Sequence, residues 1–192
     1  MGVVRAVCTS ERRGIQKKDV GTADFQVGFG IKGDAHGGNW HRQVSLLSAE
    51  KIDAFNQKGA GVKPGAFGEN LVVEGYDFRN LPVGTRFQCN DVILEMTQIG
   101  KECHTHCQIY QKMGECIMPT QGVFAQVIRG GSISVGDEMR MLEDKDTRYT
   151  AAVVTMSDKG AKGEREDTSG PLICKMLEKA GYRVAEKLLI PD

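Results

Sequence analysis

The chain carries no net charge and few aromatic side chains. Its 25 Lys and Arg balance 25 Asp and Glu, and its 192 residues include one Trp, four Tyr and seven Phe. That balance argues against a protein held to nucleic acid or to a membrane surface by bulk charge, while leaving room for a local basic pocket. No run approaches the roughly 20 apolar residues that span a bilayer. Met1-Gly2-Val3-Val4-Arg5 leads straight into a strand-like pattern, without the charged and apolar regions of a signal peptide. A cytoplasmic protein is expected, making no use of nucleic acid or membrane. The sequence has no internal repeat, no G-x-G-x-x-G and no Walker motif. Its six cysteines, at 8, 89, 103, 107, 116 and 174, read as reduced thiols and not as a disulfide framework. They form no array of the kind that carries electrons.

What the chain has in excess is glycine: 24 residues, against roughly 7% in an average chain. Many glycines with few aromatics imply many tight turns between short strands. At 40% hydrophobic and 26% charged, the composition is that of a globular protein.

Residues 1–142 read as strands and turns. Val3–Cys8, Phe25–Val27, Leu71–Val73, Thr85–Cys89 and Val92–Thr97 are strand-like, and Asn90-Asp91 suits a two-residue hairpin loop. Ser48 can cap a helix that places Ile52 and Phe55 on one face. The spacing of Val123 with Val127 and of Phe124 with Ile128 predicts a second helix over 121–129. Ser132–Val135 and Glu138–Leu142, joined at Gly136-Asp137, read as a closing hairpin. Short strands without βαβ alternation favour a closed or strongly curled β-barrel. Residues 143–148 are charged, lack an apolar anchor and read as a linker. Residues 149–192 follow a different pattern, with a continuous strand-like run from Tyr149 to Met156, a polar loop, a helix ending at Gly181, and a strand from Arg183 to Ile190. That is one βαβ unit, whose parallel pair is expected to be buried on both faces.

Four clusters could carry chemistry. Lys32-Gly33-Asp34-Ala35-His36 and the following His41-Arg42 gather cations and glycines that suit an anion, or else form a solvated surface loop. Gly65–Leu71 is a glycine turn that could offer Glu69 and Asn70 to a polar ligand. Gly100–Cys107 follows a strand and sets Cys103 beside Lys101 and two imidazoles, a setting that lowers a thiol pKa. Two readings of this cluster stay open: a zinc site from Cys103, Cys107, Cys116 and a His, or a single reactive or metal-ligating cysteine. Ser157-Asp158 through Asp167-Thr168-Ser169-Gly170 joins a strand to a helix N-terminus, where a phosphate could sit. Cys8, Cys89 and Cys174 are assigned to packing.

Taken together, the order Gly33-Asp34…His36…His41-Arg42-Gln43-Val44, then Gly68-Glu69-Asn70-Leu71, then Thr97-Gln98-Ile99-Gly100-Lys101-Glu102-Cys103, then Val135-Gly136-Asp137 resembles the MOSC domain, named for the C-terminal domain of molybdenum cofactor sulfurase. The resemblance covers residues 1–142. It implies a mainly β, MOSC-type barrel with a few short helices, followed here by a partial α/β segment. It also implies binding of the molybdenum cofactor or a related molybdopterin, and a functional cysteine that maps best onto Cys103. The family often has Pro before that cysteine; here the residue is Glu102, and Cys107 follows four residues later as the alternative. Residues 149–190 resemble the opening of the MoaB/MogA-type molybdopterin-binding domain, through Val153-Val154-Thr155-Met156-Ser157-Asp158, Gly163, Asp167 and Ser169-Gly170. The later motifs of that family are not among these residues, so its adenylyl transfer is not carried over. The resemblances imply a protein of cofactor sulfur handling, biosynthesis or molybdenum-dependent reduction, the last requiring an electron-donor or enzyme partner. A non-enzymatic cofactor carrier and a structural zinc protein are the alternatives.

Overall fold

A computed structural model describes residues 1–101, 108–142 and 149–192. The backbone divides into two compact units, Met1–Asp144 and Lys145–Asp192.

The first unit contains strands β1 (Gly2–Thr9), β2 (Lys18–Asp19), β3 (Thr22–Gln26), β4 (Gly30–Ile31) and β5 (Val44–Ser48), then helix α1 (Ala49–Gln57). Strand β6 (Leu71–Glu74), a 3-10 turn at Phe78–Asn80, β7 (Arg86–Cys89) and β8 (Val92–Ile99) follow. The unit ends with α2 (Gln108–Met113), α3 (Met118–Gln121), β9 (Val123–Arg129), β10 (Gly131–Ser134) and β11 (Glu138–Leu142). Seven strands close into a barrel in the order β11-β7-β8-β9-β5-β6-β1, sealed by pairing of β1 with β11. All neighbours are antiparallel except β5 and β6, and α1 lies in the crossover that a parallel pair requires.

The strands follow from their alternation. Val44 and Leu46 of β5, with Leu71 and Val73 of β6, enter the barrel core, whereas Leu47 and Val72 face outward under Ile52 of α1. In β1, Val4 and Val7 point to the core although they lie three apart. A bulge between Val4 and Ala6 shifts the register by one and turns Ala6 and Cys8 toward the helix side. Each such buried Val, Leu or Phe contributes about 1.5–3 kcal/mol.

Three local expectations change. Residues 123–129 form a strand and not a helix; only Met118–Gln121 are helical, and Gly122 is extended. Here β9 pairs with both β5 and β8, and its β-branched Val123 and Val127 are buried at a spacing of four that strand and helix share. Residues 131–134 and 138–142 do not pair with each other: β10 pairs with β3, and β11 with β7 and β1. Asp137 accepts the Ser134 amide at 2.7 Å and Gly136 has φ +92°, a tight turn that sends the chain to a different sheet. Ser48 precedes α1, but its hydroxyl donates to Glu50 Oε2 at 2.6 Å and caps no backbone amide.

The second unit holds β12 (Thr150–Met156), α4 (Asp158–Ala161), α5 (Ser169–Lys179) and β13 (Arg183–Ile190), with β12 and β13 parallel. The βαβ unit is therefore present. Burial is not: Val153 is the buried hydrophobic residue of β12, while Val154, Met156, Leu188 and Ile190 are exposed. The expected linker, 143–148, lies outside the described residues.

Candidate functional site

The N-terminal ends of the parallel strands β5 and β6 lie side by side, and β1, antiparallel to β6, brings its C-terminal end to the same place. The segments that enter or leave these ends are 10–17, 32–43 and 65–70, so the topology collects Lys17, Asp34, His36, Glu69 and Asn70.

Asn70 ties the three strands together. Its Nδ2 donates to Cys8 O at 2.9 Å and to Asp34 Oδ2 at 3.3 Å, and its Oδ1 accepts from the amide and hydroxyl of Ser45 at 3.1 and 3.0 Å. Asp34 is buried and accepts the Ser10 amide at 2.9 Å and both short bonds, 2.6 Å each, from Lys17 Nζ. Burial alone would raise the Asp34 pKa. The hydrogen bonds from Lys17 and Ser10 outweigh it, and the carboxyl is held below the usual range. Lys17 is as deeply buried as its partner, and burial pushes its pKa down despite the pair. The same ammonium lies 3.2 Å from His36 Nδ1. Burial, then the Lys17 charge, lowers the His36 pKa, and Arg13 and Lys101 add to the effect against the opposing pull of Asp34.

Glu69 is fully buried. It accepts the amides of Gly65 at 2.7 Å and Phe67 at 3.0 Å, closing the turn before β6. Burial outweighs these donors and raises its pKa to about 7. Glu69 and Asn70 are thus turned into the structure, with hydrogen bonds to the protein, and not toward a surface. Gly65 sits at φ +86° with Lys17 O where its side chain would be, so the Glu69 turn also braces Lys17.

The outer part of the 32–43 segment faces solvent. Trp40 Nε1 donates to His36 O at 3.0 Å, His41 Nε2 meets Gln98 Oε1 at 2.9 Å, and Thr97 bonds His41 O. The Arg42 guanidinium lies 4.9 Å from the Trp40 ring centroid and 5.7 Å from that of Phe124; its Nε is buried without a hydrogen-bond partner among the described residues. Lys32 is exposed, and its amide bonds Asp24 O. The structure brings Asp34, His36, Glu69 and Asn70 into one network. It sets His41 and Arg42 on the adjoining face and leaves the Lys32 side chain outside the network.

Cys103 and Cys107 lie outside the described residues, and with them the thiol and zinc readings of that cluster. Cys116 is half-buried. Cys8 and Cys89 are buried, and burial pushes both thiols up to about 12, in keeping with packing roles. Lys17 was not legible: Lys17-Lys18-Asp19 looks like any surface charge run, and only the fold shows that its first member is interior.

In the second unit, Ser157 Oγ accepts the Gly160 amide at 3.2 Å, Asp158 is exposed, and Asp167 Oδ1 accepts the Gly170 amide at 2.9 Å. These residues lie beyond the carboxyl end of β12, on the way to α5, the usual side for ligands in parallel α/β units.

The MOSC domain family model matches residues 32–140. Solved structures share the fold. The YuaD protein of Bacillus subtilis has a TM-score of 0.60 at 22% identity over 72% of this chain and 94% of that one. YiiM of Geobacillus stearothermophilus has 0.56 at 14% identity over 74% and 76%. YiiM of Escherichia coli has 0.52 at 20% identity over 95% and 87%. A molybdopterin adenylyltransferase of Pyrococcus furiosus is 62% identical over 44 residues, 23% of this chain and 25% of its own length. The match thus spans about a quarter of that relative.

Proposed function

The chain belongs to the MOSC domain family, and on that premise we propose that it binds a molybdopterin species through the cationic face of the 32–43 segment, with Cys103 as the thiolate that ligates molybdenum or carries sulfur. Arg42 is the observation that carries the reading. Its guanidinium is packed against two aromatic rings, and its Nε is shielded from water without an acceptor among the described residues. A buried N–H without a partner is costly, and an oxyanion is the partner that a guanidinium fits best. Arg13 and Lys101 act on His36 in the same 32–43 segment, so the donor set consists of N–H groups and suits the phosphate of a pterin.

His36, His41 and Arg42 would hold the phosphate, and Lys32 adds exposed charge. Asp34, Glu69 and Asn70 frame the site from inside. Cys107 is the alternative thiol. Ser157, Asp158 and Asp167 would give the second unit its own pterin contacts, a reading that the short match to the adenylyltransferase supports. The bound cofactor would supply the redox and sulfur chemistry; the chain binds it, orients it and presents a thiolate. As a reductase or sulfur-transfer protein it would act with an electron donor or a molybdoenzyme, in the cytoplasm. No helix among the described residues is long and apolar enough to cross a membrane.

The test is elemental analysis with pterin detection on the full chain purified from molybdenum-replete cells. Molybdenum and pterin together are expected; Cys103→Ser loses the metal, and Cys107→Ser has the smaller effect. Zinc in place of molybdenum, lost equally in both variants, would make this a structural zinc protein and overturn the reading.

A further inference from the structure

We propose that Lys17 is a positioning residue of this site: through the buried Lys17–Asp34 pair it fixes His36 in the tautomer with hydrogen on Nε2, so that His36 offers a directed N–H donor to an oxyanion. The geometry leaves little choice. An ammonium has three hydrogens and no lone pair. Two of the three are directed to Asp34 Oδ1 and Oδ2 at 2.6 Å each, and His36 Nδ1 lies 3.2 Å from the same nitrogen. Nδ1 must therefore accept, and the ring hydrogen of neutral His36 must sit on Nε2. Deprotonated Lys17 would leave Asp34 as an unpaired buried charge, so the pair stays ionised.

Among the described residues, the charged groups that act on His36 are Lys17, Arg13 and Lys101 against the carboxylate of Asp34. Asp34 already faces Lys17 at closer range than the 3.8 Å that separates it from His36 Nδ1. The surroundings oppose an imidazolium. The ring is about one-third exposed, and the hydrogen bond it makes among the described residues is at Nδ1. A cation here would bind anions less tightly as the pH rises through its titration; a neutral N–H keeps its strength across that range.

The role of His36 as donor rests on the oxyanion reading above; the tautomer does not. Long-range 15N–1H spectra of the full chain, with histidine labelled and His36 assigned by His36→Asn, read the tautomer directly. An unprotonated Nδ1 and a protonated Nε2 are expected for the neutral ring, with less imidazolium at pH 6.5 than the half that an ordinary imidazole carries there. Hydrogen on Nδ1, a mixture of tautomers, or a ring at least half-protonated at that pH would overturn the role of Lys17. Lys17→Arg, which can only donate, is expected to keep the tautomer. The double variant Lys17→Met/Asp34→Asn is expected to lose it, and a folded double variant with the tautomer unchanged would also overturn the proposal. Should the double variant not fold, the wild-type spectrum and Lys17→Arg decide. Sulfate, a non-titrating oxyanion, is the ligand probe. It is expected to move the Nε2 resonance, and His36→Phe to weaken sulfate about ten-fold. An Nε2 signal unmoved by sulfate, with the expected tautomer in place, would overturn the oxyanion role and leave the tautomer standing.

Discussion

The decisive side chains are those that carry charge where water does not reach. Lys17 and Asp34 have almost no exposed side-chain surface, so neither can be removed alone without stranding the other. Lys17→Met is expected to cost about 3–5 kcal/mol in urea denaturation, with Asp34→Asn added to Lys17→Met recovering part of it. Arg42 is different in kind: its aromatic neighbours hold the guanidinium while its Nε lacks an acceptor among the described residues. Arg42→Met keeps most of the packing and is expected to weaken molybdopterin binding in a salt-sensitive way, measured as a Kd at low and high ionic strength. Glu69 gives a pH dependence of definite sign. Its folded pKa is raised to about 7 from 4.5, so between these values the folded state binds the extra proton and stability falls as pH rises. Relative to Glu69→Gln, the wild type is expected to lose up to about 3 kcal/mol between pH 4.5 and pH 7 in paired denaturation curves.

Among the elements, the turn before β6 is the brace on which the interior charges depend. A Cβ at Gly65 would run into Lys17 O in a backbone with φ +86°. Gly65→Ala is therefore expected to cost more than about 2 kcal/mol, seen as a lowered Tm. This turn shows what could be read from the sequence and what could not. Gly65, Gly68, Glu69 and Asn70 stand out as a motif, because glycines and polar residues before an apolar strand are locally visible. Their direction, inward to Lys17 and Ser45, depends on strands β1 and β5, which are distant in sequence. The same limit explains β9, where a spacing of four residues fits either period and its two antiparallel neighbours decide. It explains β10 as well: Ser132–Val135 and Glu138–Leu142 are a hairpin by local pattern, yet β3 and β7 are the partners that bury Ile133 and Met139. The β7–β8 hairpin was legible because Asn90, at φ +52°, is itself the turn signal.

At the scale of the molecule, the barrel unit has its own closed sheet and core, and the βαβ unit has neither. A fragment ending at residue 142 is expected to fold alone, with circular dichroism dominated by strand. The 149–192 segment leaves Val154, Met156, Leu172, Met176 and Leu188 exposed, and by itself is expected to show weak hydrogen-exchange protection. The way the barrel is sealed also sets a timetable. Gly2 pairs with Met139 and Val3 with Glu138, so the first strand of the barrel finds its final neighbour only after nearly the whole barrel has been translated. Until then the β1 edge stays open, and local pairs such as β7–β8 form while the ring waits. A chain assembled through contacts this distant in sequence folds slowly, and its unsealed edge is the place where a newborn molecule is most open to pairing with a stranger.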